Sequence, residues 1–278
     1  MDLLGKLIIG LGKVVPLRIR LALVGSSHHN PSRFAVCLNR IFNSLSRERF
    51  PVVTLGGSLA GYRMRVDCHR FRSFVYGTYE PPVLQTIIKV VQAGWTAIDA
   101  GAYIGYYTLL LAKQVGPSGR VIAFEPLPEN FRVLSENIEL NRLQNVIAEN
   151  KAVTDQSGVA TLYRGYEGPF SLTSSIVAAS GEGIEVQAVS LDEYLNNYRE
   201  RVAFVKIDVE GAESQVLDGM KRILKEDRPI VVVEVMNFDR YDDKHPALQL
   251  LRNFGYTFCI LSKFGIIANV LASPSSKG

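Results

Sequence analysis

An α/β fold is predicted: a mostly parallel sheet with helices on both faces, preceded by a helical and β-hairpin extension. Three observations carry this. From about residue 76 onward, short apolar runs alternate with amphipathic segments of helical period, the pattern of a parallel sheet covered on both sides. Four of those runs close on an acid, at Asp99, Glu125, Asp208 and Glu234. The chain has 278 residues with 47% hydrophobic content, enough for one sizeable domain plus an appendage. The division expected is an extension over residues 1–75 and the main domain over 76–278.

In chain order, the extension begins with an apolar stretch in which Leu4, Leu7, Ile8, Leu11, Val14 and Val15 recur at helical spacing, with Lys6 and Lys13 off the stripe. That is an amphipathic helix. The favoured reading is packing on its own domain or on a second subunit; the alternative is a membrane surface, reached through residues 1–24. "GSSHHNPSR" is a polar breaker, and a helix is expected near Ser32–Leu45. "VVTLGGSLAGYRMRVDCHR" alternates like a hairpin around a Gly-containing turn.

Pro81–Ala93 reads as a helix, with prolines in its first turn and Val83, Leu84, Ile87, Ile88 and Val91 on one face. A strand at Ala97–Asp99, a glycine loop and a helix at Tyr106–Gln114 follow. "RVIAFEP" is a second strand, "PENFRVLSENIELN" a helix and "VIAENKAV" a third strand. Thr154–Glu182 is polar and turn-rich. "VAFVKIDVEG" is a further strand, "AESQVLDGMKRILKE" one helix, "PIVVVEV" a strand, and "YTFCILSKFGIIANVL" a closing antiparallel hairpin.

Composition excludes several classes. Net charge is only +4, but residues 1–80 carry 12 Lys+Arg against 4 Asp+Glu, so the extension is basic and the body acidic. No zinc finger, basic zipper or other nucleic-acid motif is present, so no nucleic acid is expected as a partner. Three scattered cysteines, Cys37, Cys68 and Cys259, give neither a disulfide framework nor a Cys-based zinc site. No uncharged apolar run reaches the roughly 20 residues of a membrane span. A cytoplasmic protein, at most peripheral to the membrane, is expected.

The loop "IDAGAYIGYY" names the ligand class. Counted from Gly101, a dinucleotide fingerprint would place glycine where Tyr103 and Tyr106 stand, and no Gly-Lys-Ser/Thr is present for a phosphate loop. What fits is D-x-G-A-x-x-G over Asp99–Gly105, followed by Glu125 at the end of the next strand. Gly101 allows a sharp turn and close approach of a ligand, Gly105 allows tight packing at the helix start, and Glu125 offers acceptors to vicinal ribose hydroxyls. A ribose-bearing ligand without a pyrophosphate suits such a site, and S-adenosylmethionine is the obvious candidate.

"IDAGAYIGYYT", "FEPLPENF", "KAVTD", "VSLDEYL" and "VKIDVEGAESQVLDGM" together resemble the FkbM family of S-adenosylmethionine-dependent methyltransferases, from about Tyr76 to Val235. The resemblance implies the class I methyltransferase sheet, Rossmann-like, with seven strands and an antiparallel last hairpin. It implies that Asp99, Gly101, Ala102, Tyr103 and Gly105 line the methionine and ribose part of the cofactor, that Glu125 takes the ribose hydroxyls, and that Ala152 flanks the adenine. It places Asp208 at the reacting centre, with a sugar, glycolipid or natural-product hydroxyl as acceptor. Tyr103 is the departure, because relatives commonly carry Asn there. Asn enters left-handed backbone angles more readily, and Tyr at such an angle costs about 1–3 kcal/mol.

Asp208 and Glu210 are the expected catalytic pair, since a hydroxyl acceptor must lose a proton and a positioned base contributes about 10²–10⁴-fold. Lys206 shares their strand end inside an apolar run, so neutralisation by Asp208 or Glu234 is expected. The competing structural reading is an ion-pair network of Lys206, Asp208, Glu210 and Glu234. Two carboxylates are too few to demand a divalent metal, so a metal between Asp208 and Glu210 is the lesser reading and none is assigned. His28, His29, His69 and His245 read as surface histidines, His245 being the one able to reach the cleft mouth. "FSLTSSI" offers hydroxyls to an acceptor or is a solvated turn. Two rival functions remain: a non-catalytic S-adenosylmethionine-binding scaffold acting through its extension, and a nicotinamide oxidoreductase, which the missing glycines disfavour.

Overall fold

The computed structural model describes residues 51–68, 70–163, 183–198, 200–238 and 245–275. The expected N-terminal helices, His28, His29, His69 and the "FSLTSSI" segment lie outside the described residues. The chain divides into two contact units, one taking in the residues up to Leu84 with Glu136–Arg142, the other Gln85–Ser135 with Leu143–Gly278. Among the described residues, no helix is long and apolar enough to cross a membrane.

In the first unit, strands β1 (Val52–Thr54) and β2 (Arg63–Arg65) pair antiparallel around a 3-10 turn, as the alternation predicts. Short helix α1 (Arg72–Tyr76) ends on Gly77 in the left-handed region. The backbone N–H groups of Arg63 and Arg65 donate to the side chains of Asn141 (2.8 Å) and Asn137 (2.6 Å). Two asparagines one helical turn apart thus satisfy a strand edge that would otherwise need a third strand.

Helix α2 (Pro81–Val90) starts on its two prolines as expected. Then β3 (Thr96–Ala100), α3 (Tyr106–Val115), β4 (Arg120–Phe124), α4 (Pro128–Leu140) and β5 (Val146–Glu149) follow in chain order. The sequence suggests one strand over 146–153, but the structure makes two. β6 (Ala152–Val153) leaves the main sheet to join β7 (Gly158–Tyr163) and β8 (Gly183–Val189) in a three-stranded sheet. Asn150 divides them: its side-chain amide donates to the carbonyls of Glu125 (2.8 Å) and Pro126 (3.0 Å).

After α5 (Leu191–Tyr194) and β9 (Val202–Ile207), the single helix expected over 212–226 is broken into α6 (Glu213–Asp218) and α7 (Lys221–Glu226). The break falls at Gly219, where a Cβ would overlap the Thr154 carbonyl oxygen and whose own carbonyl accepts the Asp192 N–H at 2.9 Å. β10 (Ile230–Val235), α8 (Pro246–Asn253), β11 (Tyr256–Phe264) and β12 (Ile267–Pro274) complete the elements of the described residues.

The main sheet has seven strands in the order β11-β12-β10-β9-β3-β4-β5. β10, β9, β3, β4 and β5 are parallel, and β12 and β11 are antiparallel. This is the Rossmann-like class I methyltransferase sheet. Its polar residues follow from the period of two along each strand. Ile98, Ala100, Val205, Ile207, Val231 and Val233 build one apolar core. On the alternate positions Asp99 is paired with Lys206, and Lys206 with Val232, so Asp99, Lys206 and Glu234 share the other face.

Candidate active site

The order reverses between β3 and β4, whose neighbours are β9 and β5, and ligands of such sheets bind outside the carboxyl ends at that point. The loop after β3 is fastened there. The N–H groups of Gly101 and Ala102 both donate to the Phe124 carbonyl, at 3.0 and 2.9 Å. Gly101 (φ +82°) and Gly105 (φ +97°) occupy the left-handed region. A Cβ at Gly101 would overlap the Asp208 carbonyl oxygen, and one at Gly105 would lie 2.7 Å from Leu134 Cδ1. Gly101 is therefore required by space as well as by backbone angle, and Gly105 chiefly by backbone angle, since only the end of a leucine side chain stands against it.

Tyr103 adopts φ +52°, a left-handed angle for which asparagine would be the easier residue. Its N–H donates to Glu125 Oε2 at 2.8 Å. Glu125, immediately after β4, is 5% exposed. Its Oε1 accepts from the Leu127 N–H (3.0 Å) and the Asn130 amide (3.3 Å). Burial pushes the carboxyl up to about 7, against the opposing pull of the Leu127, Tyr103 and Asn130 donors.

Asp99 is fully buried, and its Oδ2 accepts the Thr108 hydroxyl at 2.6 Å. Burial raises its pKa, while the Lys206 charge and the Thr108 hydroxyl lower it. Asp99 Oδ1 has no hydrogen-bond partner among the described residues. A fully buried carboxylate oxygen left without a donor is costly, and an α-amino group of a bound cofactor would supply one. This oxygen and the Glu125 carboxylate fit S-adenosylmethionine, while the missing Cβ atoms of Gly101 and Gly105 make room for the Asp208 backbone and Leu134.

Lys206, 3% exposed, is neutralised as expected: Nζ lies 2.9 Å from Asp208 Oδ2 and 4.6 Å from the centre of the Tyr107 ring. The Asp208 side chain keeps 23% of its surface accessible. The strand does not continue to Glu210, as side-by-side carboxylates would require. β9 stops at Ile207, and Glu210 turns back at φ +53°. The kink is braced by the Gly211 N–H, which donates to the buried Glu213 carboxylate at 2.7 Å. It still brings Asp208 and Glu210 together, and adds Glu234, with one carboxylate oxygen of each within 4.8 Å of the others.

The remaining positions lie elsewhere. Ala152 is in β6, 4% exposed among Leu127, Leu162, Val186 and Ala188. β5 itself ends on Glu149, whose carboxylate accepts the Tyr194 hydroxyl at 2.8 Å and pairs with Lys151 at 2.7 Å. His245 caps α8, and its Nε2 is 2.9 Å from the Met236 carbonyl. Thr108, Tyr107, Asn130 and Asn150 were not singled out from the sequence. Their only signal there was position, in the first turn of a helix or the first residue past a strand.

The seven-stranded order with its antiparallel last hairpin, the glycine loop after β3 and the acids following β4 and β9 are the pattern of a class I methyltransferase. Residues 99–258 match the model of the methyltransferase FkbM domain, and the chain belongs to that family. It is thus an S-adenosylmethionine-dependent methyltransferase. It is 30% identical over 183 residues to Methyltransferase 1 of Beauveria bassiana, covering 59% of this chain and 72% of the relative. Methyltransferase sdnD of Sordaria araneosa is 29% identical over 154 residues, covering 44% and 59%. Hexuronic acid methyltransferase AglP of Haloferax volcanii is 27% identical over 164 residues, covering 56% and 62%. The chain thus spans about three fifths of the length of the latter two.

Proposed function

We propose that the chain methylates oxygen, on a hydroxyl of a sugar, glycolipid or natural product. The similarity to a hexuronic acid methyltransferase supports a hydroxyl-rich acceptor. S-adenosylmethionine supplies a methyl already activated on sulfonium, so the protein's tasks are alignment and removal of the acceptor proton. Asp99, Gly101, Ala102, Tyr103 and Gly105 hold the methionine and ribose end, and Glu125 takes the ribose hydroxyls; Ala152, buried in the core of the small sheet, is not retained as an adenine contact. Asp208 accepts the hydroxyl proton and Glu210 orients the acceptor. No metal is assigned.

One observation carries the catalytic assignment. Asp208 is anchored through one oxygen by a buried ammonium at 2.9 Å yet keeps 23% of its side chain accessible. That is a carboxylate fixed in place and open to a reactant. The non-catalytic scaffold has no comparable observation in its favour. Residues 1–24 are proposed as the contact for a second subunit or a membrane surface.

Asp208→Asn keeps size and polarity but removes basicity. Turnover with a labelled methyl donor and a uronic acid glycoside should drop at least about 10²-fold, with affinity for S-adenosylhomocysteine little changed. If Asp208 serves only to neutralise Lys206, the variant loses melting temperature and the folded fraction stays nearly as active. That result would move the base to Glu210. Absence of turnover by the wild type with every hydroxyl acceptor tried would instead favour the scaffold.

A further inference from the structure

We propose that the turn of the closing hairpin docks on an anionic lipid surface and brings the carboxylate end of the sheet to that surface. Phe264 is 86% exposed and Ile266 58%, with Gly265 between them at φ +58°. Ile260, further down β11, is 46% exposed. Two large apolar side chains presented this openly on either side of one glycine mark a contact surface rather than a scattered exposure.

Charge selects the partner. From Tyr256 to Pro274 the one charged residue is Lys263, and no acid interrupts the hairpin. Lys263 Nζ lies 5.2 Å from the centre of the Phe238 ring, directly beside the turn. A lysine next to a convex pair of apolar side chains suits the boundary between anionic headgroups and acyl chains. There its stem can lie along apolar surface while the ammonium stays with the phosphates.

The hairpin also has the right position. β12 pairs with β10 through Val235↔Ala268 and Glu234↔Asn269, so the turn flanks the carboxyl end of β10. The Phe238 N–H donates to the Ile266 carbonyl at 2.7 Å, which ties the turn to the loop leaving Glu234. A lipid surface engaged by Phe264 and Ile266 therefore adjoins the end of the sheet that carries Asp208, Glu210 and Glu234. A second copy of the chain fits less well. Strand addition along β11 would meet the irregularity between Ile260 and Ser262 and the lysine at 263, both of which discourage edge pairing. It would also leave the turn uncovered.

The test uses the full chain, with vesicles of phosphatidylcholine alone or mixed with phosphatidylglycerol. The wild type should sediment with the anionic vesicles and far less with the neutral ones. Phe264→Asp/Ile266→Asp should lower partitioning by at least about tenfold, and Lys263→Ala should lower it more at low salt than at high salt. Both variants should bind S-adenosylhomocysteine like the wild type, which separates failed docking from a failed cofactor site. Equal partitioning of wild type and double variant would overturn the proposal. So would a wild type that ignores both vesicle types, or a dimer in light scattering that the double substitution converts to monomer.

Discussion

Glu125 should make cofactor affinity depend on pH in a direction the structure fixes. Its carboxylate is 5% exposed and accepts three N–H groups, from Tyr103, Leu127 and Asn130. Burial outweighs those donors and raises the pKa from 4.5 to about 7. Vicinal hydroxyls are held best by the ionised form, so affinity for S-adenosylhomocysteine should be flat above about pH 7 and fall about tenfold per pH unit below it. Stability of the free protein runs the other way. The folded carboxyl holds its proton more tightly than the unfolded one, so the added stability is complete below about pH 4.5 and is lost as pH rises through about 7. The shift from 4.5 to about 7 corresponds to an upper bound of about 3 kcal/mol.

Calorimetry near pH 6, 7 and 8 reads the first effect, and thermal melts with and without S-adenosylhomocysteine read the second. Glu125→Ala should lower affinity at pH 8 by roughly tenfold to a hundredfold, since hydrogen bonds to charged groups contribute about 1.5–3 kcal/mol. It also leaves three donors without their acceptor, so Glu125→Asp is the companion variant: the charge remains, withdrawn by one methylene. A folded Glu125→Ala that binds as tightly as wild type, or wild-type affinity unchanged from pH 6 to pH 8, would refute ribose recognition by this residue.

The glycine loop gives two further tests. Tyr103→Asn relieves a left-handed tyrosine and should stabilise by about 1 kcal/mol, or roughly 2–4 °C, without weakening S-adenosylhomocysteine binding; a lower melting temperature would mean that the ring's packing outweighs the backbone strain. Gly101→Ala drives a Cβ into the Asp208 carbonyl and should cost more than about 3 kcal/mol or prevent folding. Gly105→Ala meets only the far end of Leu134 and should cost about 1–2 kcal/mol; equal costs at the two positions would show that backbone angle, not space, governs both.

What the sequence revealed and what it hid divide along one physical line. The D-x-G-A-x-x-G loop and the acids closing apolar runs are local: each acid ends its own run, so chain spacing marks Asp99 and Glu125 as residues at the close of successive strands. Lys206 could be assigned a neutralising partner for the same reason, because a lysine inside "VAFVKID" has nowhere else to place its charge. Features set by contacts between distant segments were not legible. One glycine lowers helical propensity within residues 212–226 without ending the helical period, and the break is fixed where Gly219 packs against Thr154 from another part of the chain. The strand at 146–153 divides because Asn150 reaches back to Glu125 and Pro126. Glu234 was visible as an acid closing its run, yet its approach to Asp208 depends on the register Val232↔Lys206, which chain spacing does not encode. Glu210 shows the same limit within a few residues. Strand period would have carried it onto the same face as Asp208, whereas β9 ends at Ile207 and the left-handed turn at 210 does that work instead. Asp208 and Glu210 thus converge through a turn rather than along a strand. Asp208, the first residue past β9, is held by the Lys206 ammonium at 2.9 Å, whereas Glu210 stands two residues further out on the turn that the Gly211 N–H and Glu213 brace. That contrast is why the proton is assigned to Asp208 and the orienting role to Glu210.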